Sequence, residues 1–258
     1  MVTTLETIWV ALTGLAAGSF VNVCVQRLPR GESLSYPPSA CPICTHPIRW
    51  RDNIPVLSWL LLRGQCRDCG ERISAAYPLT EIAAAALAVL TLQRFGWSAP
   101  LPWYAAFQIT LLAGAVIDGR YGILPDGITL GGAGVALVLA PFARPHMAPE
   151  SAWVEAGLGA AVTMGALWLL RAAGTLVFRR ESMGLGDVKL GAFMGAVLGW
   201  RLALLAVYIG YVLTLAVLLR RPGGWGGVEI RSGPFFAAGT VVALYAGDPI
   251  LEWIFGGW

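Results

Sequence analysis

Residues 202–219 read Leu-Ala-Leu-Leu-Ala-Val-Tyr-Ile-Gly-Tyr-Val-Leu-Thr-Leu-Ala-Val-Leu-Leu and contain no charged side chain. A helix of about 20 mostly apolar residues crosses the hydrocarbon core of a bilayer, so this stretch predicts a membrane span. The rest of the chain agrees, because 57% of its 258 residues are hydrophobic and only 13% are charged. Soluble domains carry about 25% charged residues. The composition therefore excludes disordered and disulfide-scaffold classes and predicts an all-α, polytopic integral membrane bundle.

Seven further apolar segments bring the predicted number of spans to about eight. The eight segments cover residues 8–25, 79–92, 103–117, 123–142, 153–170, 188–200, 202–219 and 233–246, with an extension of the last to residue 255 left open. The segment 188–200 is short, so seven spans, with some segments forming buried or re-entrant helices, is the alternative. Glycines four residues apart, such as Gly14 with Gly18 and Gly191 with Gly195, predict close helix packing.

The basic residues predict which loops face the cytoplasm. If the spans alternate from an N-terminus outside, 15 of the 18 Lys and Arg residues lie on one side of the membrane. Cytoplasmic loops carry an excess of Lys and Arg, so this side is predicted to be cytoplasmic. It includes the loop 26–77, which alone contains seven arginines. The net charge of +3 is too small to indicate nucleic-acid binding.

Four of the five cysteines lie in that loop, as Cys41-Pro-Ile-Cys44 and Cys66-Arg-Asp-Cys69. Two such pairs can offer four thiolates to one tetrahedral Zn²⁺, and a site with four protein ligands is structural rather than catalytic. Disulfides or redox thiols are the alternative, but a cytoplasmic location disfavours disulfides. The sequence therefore predicts a small zinc-knuckle domain in the loop. Residues 50–63, between the two pairs, are too short to span and are predicted to lie on the membrane surface or against this domain.

Three aspartates border the apolar segments on the predicted cytoplasmic side: Asp118, Asp126 and Asp187. Ionisable residues at membrane depth are costly and indicate function. Two carboxylates that share a site cannot both ionise easily, so a pair formed by Asp118 and Asp187 would supply one acid and one base to a water molecule.

A structural role is the alternative for each of these aspartates. Each could cap a helix or pair with Arg120 or Lys189, and for Asp126, which follows a proline at a helix start, we favour this interpretation. Capping does not explain Asp118, because the helix macrodipole is unfavourable to an anion at a helix C-terminus. Gly184 and Gly186 allow the backbone beside Asp187 to approach a substrate or to turn sharply.

Taken in order along nearly the whole chain, the motifs resemble those of the bacterial type IV prepilin peptidases, which are membrane aspartic proteases of the GxGD type. The motifs that carry the resemblance are Gly18-Ser-Phe-Val-Asn22, the two cysteine pairs, Asn53-Ile-Pro-Val-Leu-Ser-Trp59, Tyr77-Pro-Leu-Thr-Glu81, Asp118, Leu124-Pro-Asp126, Gly184-Leu-Gly-Asp-Val-Lys-Leu190 and Gly233-Pro-Phe235. Two departures are Ala76, where the family often has Arg, and Arg231-Ser-Gly-Pro, where Pro-Phe-Gly-Pro is common.

The resemblance implies an enzyme of the bacterial inner membrane with a periplasmic N-terminus and a cytoplasmic active site. It would cleave the leader from type IV prepilins or pseudopilins and then methylate the new N-terminus with S-adenosylmethionine. Residues 1–78 would form the first span and the methylation-associated cysteine loop, and residues 79–258 the peptidase.

The same resemblance implies roles for individual residues. The catalytic aspartates fall on Asp118 and Asp187, with Gly184, Gly186, Lys189 and Asp126 in support. The candidate contacts to S-adenosylmethionine are three polar residues in or beside the loop: Glu32, Asn53 and Glu81. No glycine-rich dinucleotide-binding fingerprint is present, so the methyl donor would not bind a Rossmann fold.

Three alternatives remain at this point. The first is a peptidase that has lost methylation. The second is a transporter whose membrane aspartates relay protons, which predicts carboxylates at mid-bilayer and inverted repeats. The third is a zinc-scaffolded assembly platform without catalysis.

Overall fold

A computed structural model describes residues 2–179, 181, 183–220 and 231–256. Two of the basic residues counted above, Arg180 and Arg221, lie outside this set. The described residues are helical and contain no strand, which confirms the predicted fold class. The helices are α1 (Thr4–Arg27), α2 (Leu57–Leu61), α3 (Ala76–Phe95), α4 (Pro100–Tyr121), α5 (Asp126–Val138), α6 (Ala140–Ala143), α7 (Pro149–Phe178), α8 (Leu185–Leu198), α9 (Trp200–Leu219) and α10 (Gly233–Phe255), with short 3₁₀ helices at Leu28–Arg30 and Trp50–Asp52.

Six of these helices are long and apolar enough to cross a membrane: α1, α3, α4, α7, α9 and α10. The chain is an integral membrane protein, but the predicted count of about eight spans is not confirmed. Segment 123–142 is divided between α5 and the short α6, and segment 188–200 lies in the 14-residue α8. At 1.5 Å per residue α8 is about 21 Å long, less than the roughly 30 Å of a hydrocarbon core.

The chain forms two compact units, Met1–Ile109 and Thr110–Trp258, and the division falls inside α4. In the first unit α1 packs along α3. The glycines of α1 make this approach possible, since a methyl group added at Gly14 would lie 2.7 Å from the Cα of Ala85, and one at Gly18 only 2.5 Å from the Cα of Glu81. The packing interpretation of this glycine pair is therefore confirmed. Because α3 packs on α1, the first unit extends beyond residue 78.

The loop between α1 and α3 folds against itself in the same unit. The 3₁₀ helix Trp50–Asp52 and α2 occupy its middle. The indole N–H of Trp59 donates a 3.0 Å hydrogen bond to the carbonyl of Ile73, and the Trp59 ring lies against Gly64. Residues 50–63 thus pack on the segments that carry the cysteines, as one of the two interpretations predicted.

In the second unit α8 lies at the centre, in contact with α5, α7, α9 and α10. Every residue of α8 from Asp187 to Leu198 except Lys189 is buried. A helix that is apolar all round can be buried in protein or in lipid. This explains why sequence periodicity did not separate α8 from a lipid-facing span. A methyl group at Gly195 would overlap the carbonyl of Gly159, so α7 and α8 approach backbone to backbone.

Candidate functional site

Asp118 lies in the last turn of α4, and its side chain is buried, with the residue 6% exposed. Its Oδ2 accepts a 2.9 Å hydrogen bond from the backbone N–H of Gly233, at the start of α10. Gly233 suits this position because a methyl group there would lie 2.8 Å from the Asp118 Oδ2. The carboxylate is thus held against the backbone of a helix that begins 115 residues later.

Asp187 is the third residue of α8 and is also buried, at 7% exposure. The hydroxyl of Ser232 donates a 2.7 Å hydrogen bond to its Oδ2, and the backbone N–H of Gly184 is a second donor. The donor of the first bond, Ser232, immediately precedes Gly233. Adjacent residues of one segment therefore hold the two carboxylates, which brings the predicted pair together in one site.

The predicted supporting residues lie around this pair. The Lys189 Nζ forms a 2.7 Å ion pair with the Asp126 Oδ1, and pairing was one of the two structural roles, with helix capping, favoured for Asp126. Gly184 is the N-cap of α8. A methyl group at Gly186 would lie 3.0 Å from the Cβ of Leu124, so Gly186 admits the segment before α5 to the start of α8. These contacts connect the turn that carries Asp187 to α5.

Four residues of the site were missed by sequence reasoning. Ser232 and Gly233 bond the aspartates, and the Arg231 guanidinium donates to the carbonyl of Gly119. The Tyr211 hydroxyl donates to the sulfur of Met183, in the segment just before Asp187. The Gly233-Pro-Phe motif and the departure at Arg231-Ser232 were visible signals, but neither indicates a partner at a separation of 45 or more residues.

Chemically, the site is two carboxylates in a water-poor environment with few compensating charges. Ionising both would place two like charges in a low-dielectric region, which is costly, so the pair favours a state with a single negative charge. Such a pair can accept a proton from water with one carboxylate and donate one to a carbonyl oxygen with the other. This is the chemistry of aspartic peptide hydrolysis.

The four loop cysteines form a second cluster, in the first unit. Their sulfurs all lie within 4.8 Å of one another, with 3.8 Å between Cys41 and Cys69 and 3.9 Å between Cys44 and Cys66. Four thiolates at the 2.3 Å Zn–S distance form a tetrahedron with edges of about 3.8 Å, so the residues fit such an ion. The four cysteines could therefore hold a metal ion, as the spacing predicted.

The two cysteine turns share one backbone design. The N–H of Thr45 bonds the carbonyl of Cys41, and the N–H of Gly70 bonds the carbonyl of Cys66, each with a positive φ at the bonding residue. Backbone N–H groups of Cys44 and Ile43 lower the pKa of the Cys41 thiol to about 7, which favours its thiolate, whereas burial and the neighbouring thiols raise the pKa of Cys69 to about 12.

The three predicted cofactor contacts lie in different surroundings. Glu32 is exposed and lies 3.8 Å from Arg30. Asn53 is exposed in the turn that leads to Val56. Glu81 is buried in α3, and its Oε2 accepts a 2.7 Å hydrogen bond from the backbone N–H of Val56. The structure thus brings Glu81 to Val56, three residues after Asn53, whereas Glu32 lies beside Arg30.

Comparison with known proteins covers both units. Residues 12–95 match the model of the bacterial peptidase A24 N-terminal domain, and residues 105–219 match that of the type IV leader peptidase family. No solved structure gives a significant match.

Three relatives carry the name prepilin leader peptidase/N-methyltransferase. The Myxococcus xanthus relative is 39% identical over 82% of this chain, the Klebsiella pneumoniae relative 41% over 74%, and the Stutzerimonas stutzeri relative 35% over 92%. The alignment spans 63% of the Myxococcus protein, and 84% and 89% of the other two. With its two matched domains and relatives above 30% identity over most of their length, the chain belongs to the type IV leader peptidase family.

Proposed function

We propose that this chain cleaves the leader peptide from type IV prepilins or pseudopilins and then methylates the new N-terminal amine. The observation that carries the proposal is the pair of buried aspartates, Asp118 and Asp187, held by the adjacent residues Ser232 and Gly233. The family and the names of its relatives support both halves of the activity.

For cleavage, one carboxylate of the pair takes a proton from water as the water oxygen bonds the scissile carbonyl carbon. The other carboxylic acid gives its proton to the carbonyl oxygen. When the C–N bond breaks, the leaving amine takes the proton that the first carboxylate received from water. The second carboxylate takes a proton back from a hydroxyl group of the tetrahedral intermediate, which leaves the product carboxylic acid. Ser232 and Gly233 keep the two carboxylates in place, and Lys189 bound to Asp126 steadies the turn around Asp187.

The cofactors of the proposal are a structural Zn²⁺ and S-adenosylmethionine. Cys41, Cys44, Cys66 and Cys69 would hold the zinc and brace the loop that contains Asn53. S-adenosylmethionine would supply the methyl group. Asn53 and Glu81 are proposed contacts to it because Val56, which bonds Glu81, lies three residues after Asn53, while Glu32 is proposed from the family resemblance alone.

The proposed location is the bacterial inner membrane, with a periplasmic N-terminus and both the cysteine loop and the aspartates at the cytoplasmic side. The excess of Lys and Arg in the loops supports this orientation. We assign methylation to residues 1–78, with Glu81 as a contact from the first turns of α3, and cleavage to the rest of residues 79–258. Family membership favours this function over a proton-relay transporter or a non-catalytic zinc platform.

One experiment tests both halves. Purified protein is incubated with a prepilin and labelled S-adenosylmethionine, and the product is read for loss of the leader and gain of label. We expect cleavage followed by an added methyl group on the new N-terminal residue. Cleavage without label would reduce the function to a peptidase, and neither product would contradict the proposal.

A further inference from the structure

A buried polar corner lies between α1 and α3 in the first unit, apart from the aspartate pair. Glu81 is 8% exposed and Asn22 is 5% exposed, and they lie on successive turns of the α1–α3 interface. Gly18 of α1 contacts the backbone of Glu81, and Asn22, one turn later, bonds the backbone of Tyr77. The corner is therefore formed by the two helices that pack most extensively in this unit.

Glu81 is a buried carboxyl group without a cation beside it. Its carboxylate accepts hydrogen bonds from the Val56 N–H and the Ser19 hydroxyl, and among the described residues it forms no ion pair. Buried carboxylates are normally paired with a positive charge, because leaving water is costly for an unpaired anion. A carboxylate can accept about four hydrogen bonds, so the two neutral donors leave some of its acceptor positions unoccupied.

Asn22 adds a second acceptor to the corner. Its Nδ2 donates a 3.1 Å hydrogen bond to the carbonyl of Tyr77, but its buried Oδ1 has no partner. Buried polar atoms are rarely left unsatisfied, so such an atom needs an explanation. The carboxylate and the amide oxygen are both hydrogen-bond acceptors, and they lie on successive turns. A compact, positively charged ligand with several hydrogen-bond donors would satisfy both. An ammonium group, with three N–H donors, has this chemistry.

We propose that Glu81 and Asn22 bind the ammonium group of a ligand in the methylation reaction. The inference rests on the proposed function, because two molecules of that reaction carry an amino group: the methyl donor S-adenosylmethionine and the newly exposed N-terminus of the processed pilin. Val56, whose N–H bonds Glu81, lies three residues after Asn53 in the loop between α1 and α3, so the Glu81 end of the corner lies against this loop. The ligand would therefore enter beside the cysteine loop.

Anchoring of the Val56 turn is the alternative role for Glu81. Val56 has a φ of +59°, an unfavourable value for a β-branched residue, and the bond to Glu81 holds it there. Anchoring accounts for the Val56 contact but leaves the Asn22 Oδ1 unused. A purely structural role also predicts no change in ligand affinity when Asn22 is replaced.

The test measures binding rather than turnover. Glu81→Gln and Asn22→Leu are compared with the full-length wild-type protein in detergent, and Glu71→Gln, an exposed carboxylate of the same unit, is the matched control. Calorimetry measures affinity for S-adenosylmethionine and, separately, for a synthetic peptide with the N-terminal sequence of a mature pilin. Losing a hydrogen bond to a charged group weakens binding by about 10- to 100-fold. We expect that loss for one of the two ligands in both variants and no loss in Glu71→Gln.

Which ligand loses affinity identifies the source of the ammonium group. A second measurement uses only the wild-type protein, so it does not depend on whether a variant folds: a desamino analogue of S-adenosylmethionine and an N-acetylated peptide are compared with their parent compounds. The proposal predicts that removing or blocking one amino group weakens binding by the same factor. Unchanged affinity for both ligands, in the variants or in the wild-type comparison, overturns it. Failure of the wild-type protein to bind either parent ligand would instead contradict the methylation half of the proposed function.

Discussion

Ser232 and Asp187, 45 residues apart, are joined by a 2.7 Å hydrogen bond from hydroxyl to carboxylate. The next residue, Gly233, donates its backbone N–H to Asp118. The start of α10 therefore holds both carboxylates of the candidate dyad through adjacent residues. A single segment with two fixed donors limits the freedom of both side chains at once, which is what positions a catalytic pair.

Asp118→Asn and Asp187→Asn should each abolish leader cleavage, because neither amide can exchange a proton with water or with the carbonyl oxygen. The loss should be at least about 1000-fold, consistent with removal of a general acid or base together with the partner's shared proton. Cleavage of a purified prepilin, followed by gel or mass spectrometry, measures it. The matched control is Glu252→Gln, an exposed carboxylate of α10 in the same unit. Retained cleavage in either Asn variant would remove that aspartate from the mechanism.

Ser232→Ala should change the pH dependence of cleavage. A donor to a carboxylate favours its ionised form, so its removal makes the dyad bind a proton more readily. The acidic limb of the rate profile should therefore move to higher pH, with activity lost first at low pH. Asp118 is part of the same titration, so the limb reports the dyad as a whole. Ser232→Thr keeps a hydroxyl and should restore the wild-type profile, whereas an unshifted profile in Ser232→Ala would exclude this role.

Metal analysis of the purified protein should find about one zinc per chain, because the four cysteine sulfurs are spaced as a tetrahedral site requires. Cys41→Ser combined with Cys66→Ser should abolish the metal. Since the cluster lies in the first unit and the aspartates in the second, we expect methylation to fall further than cleavage. Cys24→Ser, which changes the one cysteine outside the cluster, is the control and should keep the metal. Folded wild-type protein without metal would contradict the prediction.

Gly195→Ala should destabilise the second unit. Its methyl group would overlap the carbonyl of Gly159, so α7 and α8 would have to move apart, at a cost of about 1–3 kcal/mol in the free energy of unfolding. Gly165→Ala in α7 is the matched control. Apart from its chain neighbours and the backbone of its own helix, no atom of the described residues lies within 4 Å of a methyl group added there, and replacing a helical glycine should be neutral or stabilise by up to about 1 kcal/mol. Melting temperatures in detergent distinguish the two, and equal effects would argue against close packing.

Arg144→Met should also destabilise the protein. The Arg144 Nη2 donates to the carbonyls of Ala196 and Val197, at 3.1 and 2.9 Å, in the last turn of α8. Its positive charge also lies at the negative end of the helix dipole. Losing these bonds from a buried site should cost about 1–3 kcal/mol. Arg201→Met, an exposed arginine that lies over the Trp200 ring, should change stability by less than about 1 kcal/mol. Equal melting temperatures for the two variants would show that the Arg144 bonds contribute nothing.

The parts of the molecule that depend on nearby residues were predictable. The two cysteine turns are local, since each is closed by a bond between residues four positions apart, and their spacing predicted the metal cluster. Helices α1 and α9 contain the whole of the apolar segments predicted at 8–25 and 202–219, because a long uncharged run has few other stable structures. Even the pairing of Asp126 with Lys189 was considered, because both residues lie beside helix starts.

The parts that depend on distant residues were not predictable. The role of α8 is one example, because an all-apolar helix has the same pattern whether lipid or protein surrounds it. The donors to the dyad are another, since their bonds join residues 45 and 115 positions apart. The spacing of apolar residues along the sequence carries no information about such a contact.

From its sequence alone the chain is a helical membrane protein with a cysteine cluster and two candidate catalytic aspartates, because composition and short spacings depend only on neighbours along the chain. Tertiary structure decided that α8 lies at the centre of its unit and that Ser232 and Gly233 hold the aspartates. It also decided that Glu81 and Asn22 share one buried corner. These contacts come from helix packing, which brings together side chains that are far apart in the sequence. No local sequence pattern predicts which of these distant side chains meet.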